Sequence, residues 1–276
     1  MRVVRLLAAM VLAASVASPL SPASAHCPQH MQHCAPGIVP PGANETTCES
    51  PGKPPVVLVH GTYGDMSGFW NVYIPALREH GYCVWVLDYG HRGTDDMETS
   101  VSQITAFVTL TVLRYSSTGT VSLIGHSQGG LQIRHMLRHD PSIPVQDAIS
   151  LSGSHFGTDT PLAPGAAEHG ACPACAQQIQ GSEWMTQHMN TGDLTPGAAS
   201  YTQIETIYDE IVTPYTNTLL PEEPGVVTNV VLQDRCPHDA FEHVLLTHDP
   251  FALAWALNAL GTDGPADPAF VPTGCL

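Results

Sequence analysis

Thr120-Val121-Ser122-Leu123-Ile124-Gly125-His126-Ser127-Gln128-Gly129-Gly130-Leu131 joins an apolar run to a helical pattern through a G-x-S-x-G turn. Residues 120–124 read as a buried strand and 130–137 as a helix. Turning so sharply from strand to helix forces Ser127 into a strained backbone conformation. The flanking glycines let strand and helix crowd together without a Cβ clash. The Ser127 hydroxyl is then held above the sheet, with the positive end of the following helix behind it. Small residues also mark ordinary tight turns; the strand before and the helix after are the setting in which this motif presents a nucleophile.

Outward from this turn, 56–60, 83–87 and 148–152 are further short apolar runs, and 202–208 and 226–232 add two more. Between them lie helical stretches. One spans 70–79 and ends at Gly81, a C-cap candidate; another carries Val101, Ile104, Val108 and Val112 at helical spacing. The last helix spans 250–260, with Asp249 as N-cap and Pro250 at its first position. This alternation predicts a mostly parallel, doubly wound α/β sheet of about six strands with helices on both faces, which binds ligands at its carboxyl edge. Segment 161–195 breaks the rhythm and is expected to form a small cap over that edge. Its Trp184, Met185 and Met189 suit substrate contact and helix packing equally.

A basic start, an apolar run over 6–16 and Ala23-Ser24-Ala25 form a signal-peptide pattern, so 1–25 is expected to be removed on export. Cleavage there leaves seven basic residues facing 25 acidic ones. Nucleic acid and anionic membrane surfaces are therefore poor partners, and a secreted monomer is expected. No later stretch is long and apolar enough to span a bilayer. Eight cysteines, an even number, favour disulfides in an exported chain. Segment 26–55 reads as an extended arm pinned by such bonds, and 56–276 as one catalytic domain. Cys172-Pro173-Ala174-Cys175 lacks a second C-x-x-C and reads as structural. His26-Cys27-Pro28-Gln29-His30-Met31-Gln32-His33-Cys34 could bind a metal, but a small disulfide loop with solvated histidines explains the same residues.

A serine hydroxyl is nearly inert near neutral pH and needs a histidine base oriented by a carboxylate. In this fold the order along the chain is serine, acid, histidine, which removes most of the fifteen histidines. His126 lies inside the turn and is expected to pack beside the serine. Among His238, His243 and His248, His243 is preferred because apolar neighbours can hold its ring mid-loop. For the acid, Asp209 is read as directly ending the strand over 203–208, with Glu210 its immediate rival. Oxyanion donors are expected from the backbone N–H groups of Gln128 and of Thr62, in the loop His60-Gly61-Thr62-Tyr63-Gly64. This chemistry needs no cofactor and no metal.

Residues 56–64 (VVLVHGTYG), 81–83 (GYC), 125–130 (GHSQGG), 173–182 (PACAQQIQGS), 208–215 (YDEIVTPY) and 231–243 (VLQDRCPHDAFEH) together resemble the secreted class 2 lipases of actinobacteria, and more distantly the yeast lipase B type of enzyme. The resemblance covers about 48–260 and implies an α/β-hydrolase acting on carboxylic esters or lipids. It places the nucleophile on Ser127, the acid on Asp209, the base on His243 and the oxyanion donors on Thr62 and Gln128, and it implies a Cys48–Cys83 disulfide. A cutinase-like polyester hydrolase or an acyltransferase would use the same residues. A binding protein on the same scaffold would be expected to have lost one of the three.

Overall fold

A computed structural model describes residues 37–161, 171–273 and 275. The expected leader, the 26–34 segment with Cys27 and Cys34, and part of the expected cap lie outside the described residues. Six strands, β1 (Val56–Val59), β2 (Val84–Val86), β3 (Val121–His126), β4 (Val145–Leu151), β5 (Ser200–Glu205) and β6 (Val227–Val231), form one sheet in the order β2-β1-β3-β4-β5-β6, every pair parallel. The expected α/β sheet is present.

The strands are largely buried on both faces, and the period of two splits their apolar residues between two cores. In β1, Val56 and Leu58 join one cluster and Val57 and Val59 the other. The first cluster is closed by α1 (Tyr73–Glu79) and the C-terminal helix α5 (Pro250–Gly261), through Ile74, Leu77, Ala252 and Trp255. The second is closed by α2 (Met97–Leu110) and α3 (Gln128–His139), through Val101, Ile104, Ile133 and Met136.

Local signals set the helix ends. After α1, Gly81 at φ 78° donates to Arg78 O and Tyr82 N donates to Leu77 O, a Schellman stop. Helix α1 begins at Tyr73, later than the expected Trp70; Trp70 is buried and its carbonyl accepts from Ile74 N. Asp249 caps α5 by accepting from the N–H groups of Phe251 and Ala252. At the β2 edge, Asn44 exchanges side-chain hydrogen bonds with both backbone groups of Val86, covering an edge that would otherwise be open. The implied Cys48–Cys83 bond ties this segment to the strand, and Cys172–Cys175 and Cys236–Cys275 are also paired.

Asp147 on β4 is buried between Ser122 and Ser200, whose hydroxyls donate to its two oxygens at 2.6 and 3.0 Å. Burial pushes this carboxyl up to about 6, against the two serine bonds. A folded value above the unfolded one means that the native state binds the extra proton, so stability is lost as pH rises from about 4 to 6, by at most about 1.4 kcal/mol per unit for one group. Asp147→Asn is expected to melt above the wild type at pH 7.5 and to lose that advantage at pH 4.5. Calorimetry across this range checks it: parallel curves for the two proteins would refute the assignment. Asp249, also raised to about 6 by burial, contributes with the same sign to both proteins and cancels from the difference.

Candidate active site

The strand-to-helix turn is as tight as its sequence demands. Ser127 sits between β3 and α3 at φ 55°, ψ −123°, a conformation that L residues rarely adopt. A Cβ on Gly125 would stand 2.4 Å from the backbone of Gly129 and Gly130, and one on Gly129 would stand 2.0 Å from Val59 O. Gly125 and Gly129 therefore allow α3 to lie against β1 and β3. As the first residue of α3, Gln128 presents one of the N–H groups for which a helix has no internal partner.

The loop after β1 lies alongside. Thr62 Oγ1 accepts from Gln128 Nε2 at 3.1 Å and from Gln178 Nε2 at 3.0 Å, which leaves its own hydroxyl hydrogen free to donate elsewhere. Gln128 Nε2 also donates to Gly93 O at 2.8 Å, and Tyr89 donates to His60 O at 2.6 Å. Gln178 directly follows α4 (Pro173–Gln177), and sequence reasoning assigned it no role.

Asp209 is placed differently from its expectation. Strand β5 stops at Glu205, and Asp209 lies four residues further on, in a turn closed by Asp209 N donating to Thr206 O. Ile207 and Tyr208, which extend the apolar pattern of a strand, are exposed. Thr206 anchors the turn instead: its hydroxyl donates to Phe241 O at 2.8 Å and accepts from Gln233 Nε2 at 2.9 Å. The acid turn and the histidine loop are thus fastened together. Asp209 is buried whereas the rival Glu210 is exposed.

His243 Nδ1 donates to Asp209 Oδ2 at 2.7 Å. Asp209 Oδ1 accepts from the N–H groups of Ile211 and Val212 at 2.9 and 2.7 Å. Burial raises the Asp209 carboxyl, but the hydrogen bond and charge of His243 and these two N–H groups outweigh it, so it stays below the usual carboxylate range. Behind it, burial and then the Asp209 charge push the Glu205 carboxyl well above that range, while Ser152 Oγ and Thr206 N donate to it. Sequence carried no signal for Glu205, whose chain position marks only a strand residue.

His126 donates from Nε2 to His243 O at 2.9 Å, and its ring lies 4.9 Å from that of His243. Burial holds it neutral, with a pKa lowered to about 3, so it supports the loop and is unsuited to take a proton. His238 is exposed, and neither it nor His248 lines the cavity beside Ser127.

That cavity measures about 390 Å³ and is lined by Thr62, Tyr63, Phe69, His126, Ser127, Ser154, Thr158, Thr160, Cys175, Gln178, Ile211, Val212, His243 and Val244. It brings the candidate serine, histidine and Thr62 to one apolar space at the carboxyl edge of the sheet. Trp184, Met185 and Met189 do not line it. They pack with Cys172, Ala174 and Cys175 of the same segment and with Met97 of α2 and Leu131 of α3 in a separate buried cluster.

Comparison with known proteins agrees with this architecture. The sequence profile of the alpha/beta hydrolase family matches residues 56–270. The chain belongs to this family. It is 32% identical over 111 residues to triacylglycerol lipases of Pseudarthrobacter phenanthrenivorans and Burkholderia plantarii. That stretch is 38% of this chain and only 34% and 30% of those proteins. The crystal structure of Aspergillus fumigatus lipase B superposes with a TM-score of 0.69 at 25% identity, over 84% of this chain and 57% of that one. The mature Bacillus licheniformis lipase BlEst2 shares the fold at 19% identity and a TM-score of 0.55, over 78% of this chain and 96% of that one. The similarity read from sequence therefore holds at the level of a lipase-type α/β-hydrolase.

Proposed function

We propose that the chain is a carboxylic ester hydrolase of the lipase or esterase type in which Ser127, His243 and Asp209 form the catalytic triad. The observation that carries this reading is the 2.7 Å His243–Asp209 bond beside Ser127 at one apolar cavity. Ser127 Oγ attacks the ester carbonyl while His243 Nε2 takes its proton; the oxyanion is held by the N–H groups of Thr62 and Gln128, with the Thr62 hydroxyl as a third donor. His243 returns the proton to the departing alcohol. It then deprotonates a water, which attacks the acyl-enzyme and releases the acid. Each oxyanion donor in such a site is worth about 10²–10³ in kcat. Gln128 and Gln178 hold Thr62 in place for this.

The substrate follows from the cavity. Its apolar wall suits an acyl chain, and Tyr63 and Val244, exposed where they meet it, suit contact with a lipid aggregate. The same reading makes 56–276 the catalytic domain, 26–55 an arm and the region of 161–195 a cap, and the three disulfides support export of the protein.

Hydrolysis of p-nitrophenyl esters from two to sixteen carbons tests it. Burying one methylene contributes about 0.8 kcal/mol, so kcat/KM is expected to rise about fourfold per methylene until the cavity is filled and then level off. A flat or falling series from the shortest ester onward would remove the acyl chain from this cavity.

A further inference from the structure

Glu98, His135 and His139 bring a carboxylate and two imidazoles together outside the cavity, their ligand atoms all within 4.8 Å of one another. His135 and His139 are four residues apart on α3 and so share a face. Glu98 stands in the first turn of α2, its Oε1 3.1 Å from His135 Nε2 and its Oε2 2.9 Å from His139 Nε2. His188, in the turn Met185–Met189, places Nδ1 3.6 Å from Glu98 Oε1.

The two imidazole Nε2 atoms are 3.0 Å apart while both face the same carboxylate. Around an ionised carboxylate, neutral rings cannot satisfy that triangle. If both nitrogens carry hydrogens toward Glu98, the two N–H groups oppose each other; if only one does, the other presents a lone pair to a carboxylate oxygen. A cation at the centre removes the conflict, because lone pairs and carboxylate then converge on it.

The geometry points to a zinc site formed by Glu98, His135, His139 and His188. Tetrahedral Zn²⁺ with bonds of about 2.0–2.2 Å sets its ligand atoms about 3.3–3.6 Å apart. Glu98, His135 and His139 need only small adjustments to reach that spacing, whereas His188, which reaches Glu98 but lies outside their 4.8 Å group, must turn inward to complete it. Three imidazoles and one carboxylate are a poor match for calcium or magnesium, which take mostly oxygen ligands. Supporting contacts are already in place. Gln132 Oε1 lies 3.3 Å from His135 Nδ1 and accepts its hydrogen, which leaves the Nε2 lone pair for the metal. Trp184 Nε1 donates to Glu98 Oε1 at 3.3 Å, and the Trp184 ring stacks on that of His188. Since none of the four ligands lines the cavity, the ion has no part in ester cleavage. It clips the cap turn to α2 and to α3, the helix that follows Ser127.

Full-length protein freed of metal with a chelator and titrated with Zn²⁺ in a calorimeter tests the proposal. One equivalent is expected to bind and to raise the melting temperature, and Co²⁺ in its place is expected to give the visible absorption of a tetrahedral complex. The double variant Glu98→Gln/His139→Gln, at half-exposed positions, should keep the wild-type circular dichroism while binding at least about tenfold more weakly and losing the thermal shift. His188→Gln provides the same comparison should the double variant not fold. Absence of zinc uptake by the wild type overturns the site. So does weakening of less than tenfold in the variant, an outcome that would move the metal elsewhere, the histidines of 26–34 included.

Discussion

Ser127→Ala is expected to abolish ester hydrolysis and labelling by a fluorophosphonate probe while the protein stays folded. Loss of the nucleophile in a Ser-His-Asp site costs about 10⁶ in kcat, and what remains comes from binding and oxyanion stabilisation alone. The substitution removes one buried oxygen and keeps the Cβ, so the turn at φ 55° and the packing of Gly125 and Gly129 are undisturbed. Peptide mapping of the labelled wild type decides the assignment. The competing hydroxyl is Ser154, which also lines the cavity but is buried and donates to Gln178 Oε1 at 2.8 Å. A probe adduct on Ser154, or one that survives Ser127→Ala, would sink the triad.

The parts of the molecule legible in sequence are those where backbone constraint and residue type coincide. Gly125 and Gly129 are required by contacts of 2.4 and 2.0 Å, so the turn could be read from its glycines. The Asp249-Pro250 start of α5 is equally local. Chain order singled out Asp209 as a candidate acid but could not give its surroundings, because Ile207 and Tyr208 continue an apolar pattern that spacing alone cannot separate from a strand. They are exposed apolar residues on a turn, and the strand has already ended at Glu205. Trp184, Met185 and Met189 illustrate the same limit: their chemistry suits a pocket wall and a packed interior alike, and tertiary structure puts them in the interior. The His135–His139 spacing is visible in the chain. Its partners Glu98 and His188 are far away in sequence, and only the packing of α2 and the turn Met185–Met189 against α3 brings them together.

Asp209→Asn is expected to lower kcat by about 10⁴ with little change in folding. The reason lies in the fixed orientation of the new side chain. Oδ1 accepts from the N–H groups of both Ile211 and Val212, so an asparagine must keep its carbonyl oxygen there and set its NH₂ group where Oδ2 now faces His243 Nδ1. An NH₂ group can only donate. His243 Nδ1 must then accept, its hydrogen moves to Nε2, and the nitrogen that should take the Ser127 proton no longer has a lone pair. Flipping the amide would restore the tautomer only by turning NH₂ onto two backbone donors. His243→Ala is expected to be nearly as damaging as Ser127→Ala, and combining the two should cost little more than either alone, because the members of a triad act as one unit. His238→Ala and His248→Ala, which do not line the cavity, should retain most of the activity. Steady-state kinetics on a short ester check all of these: an active Asp209→Asn, or a His238→Ala as inactive as His243→Ala, would mean that the proton leaves Ser127 by another route.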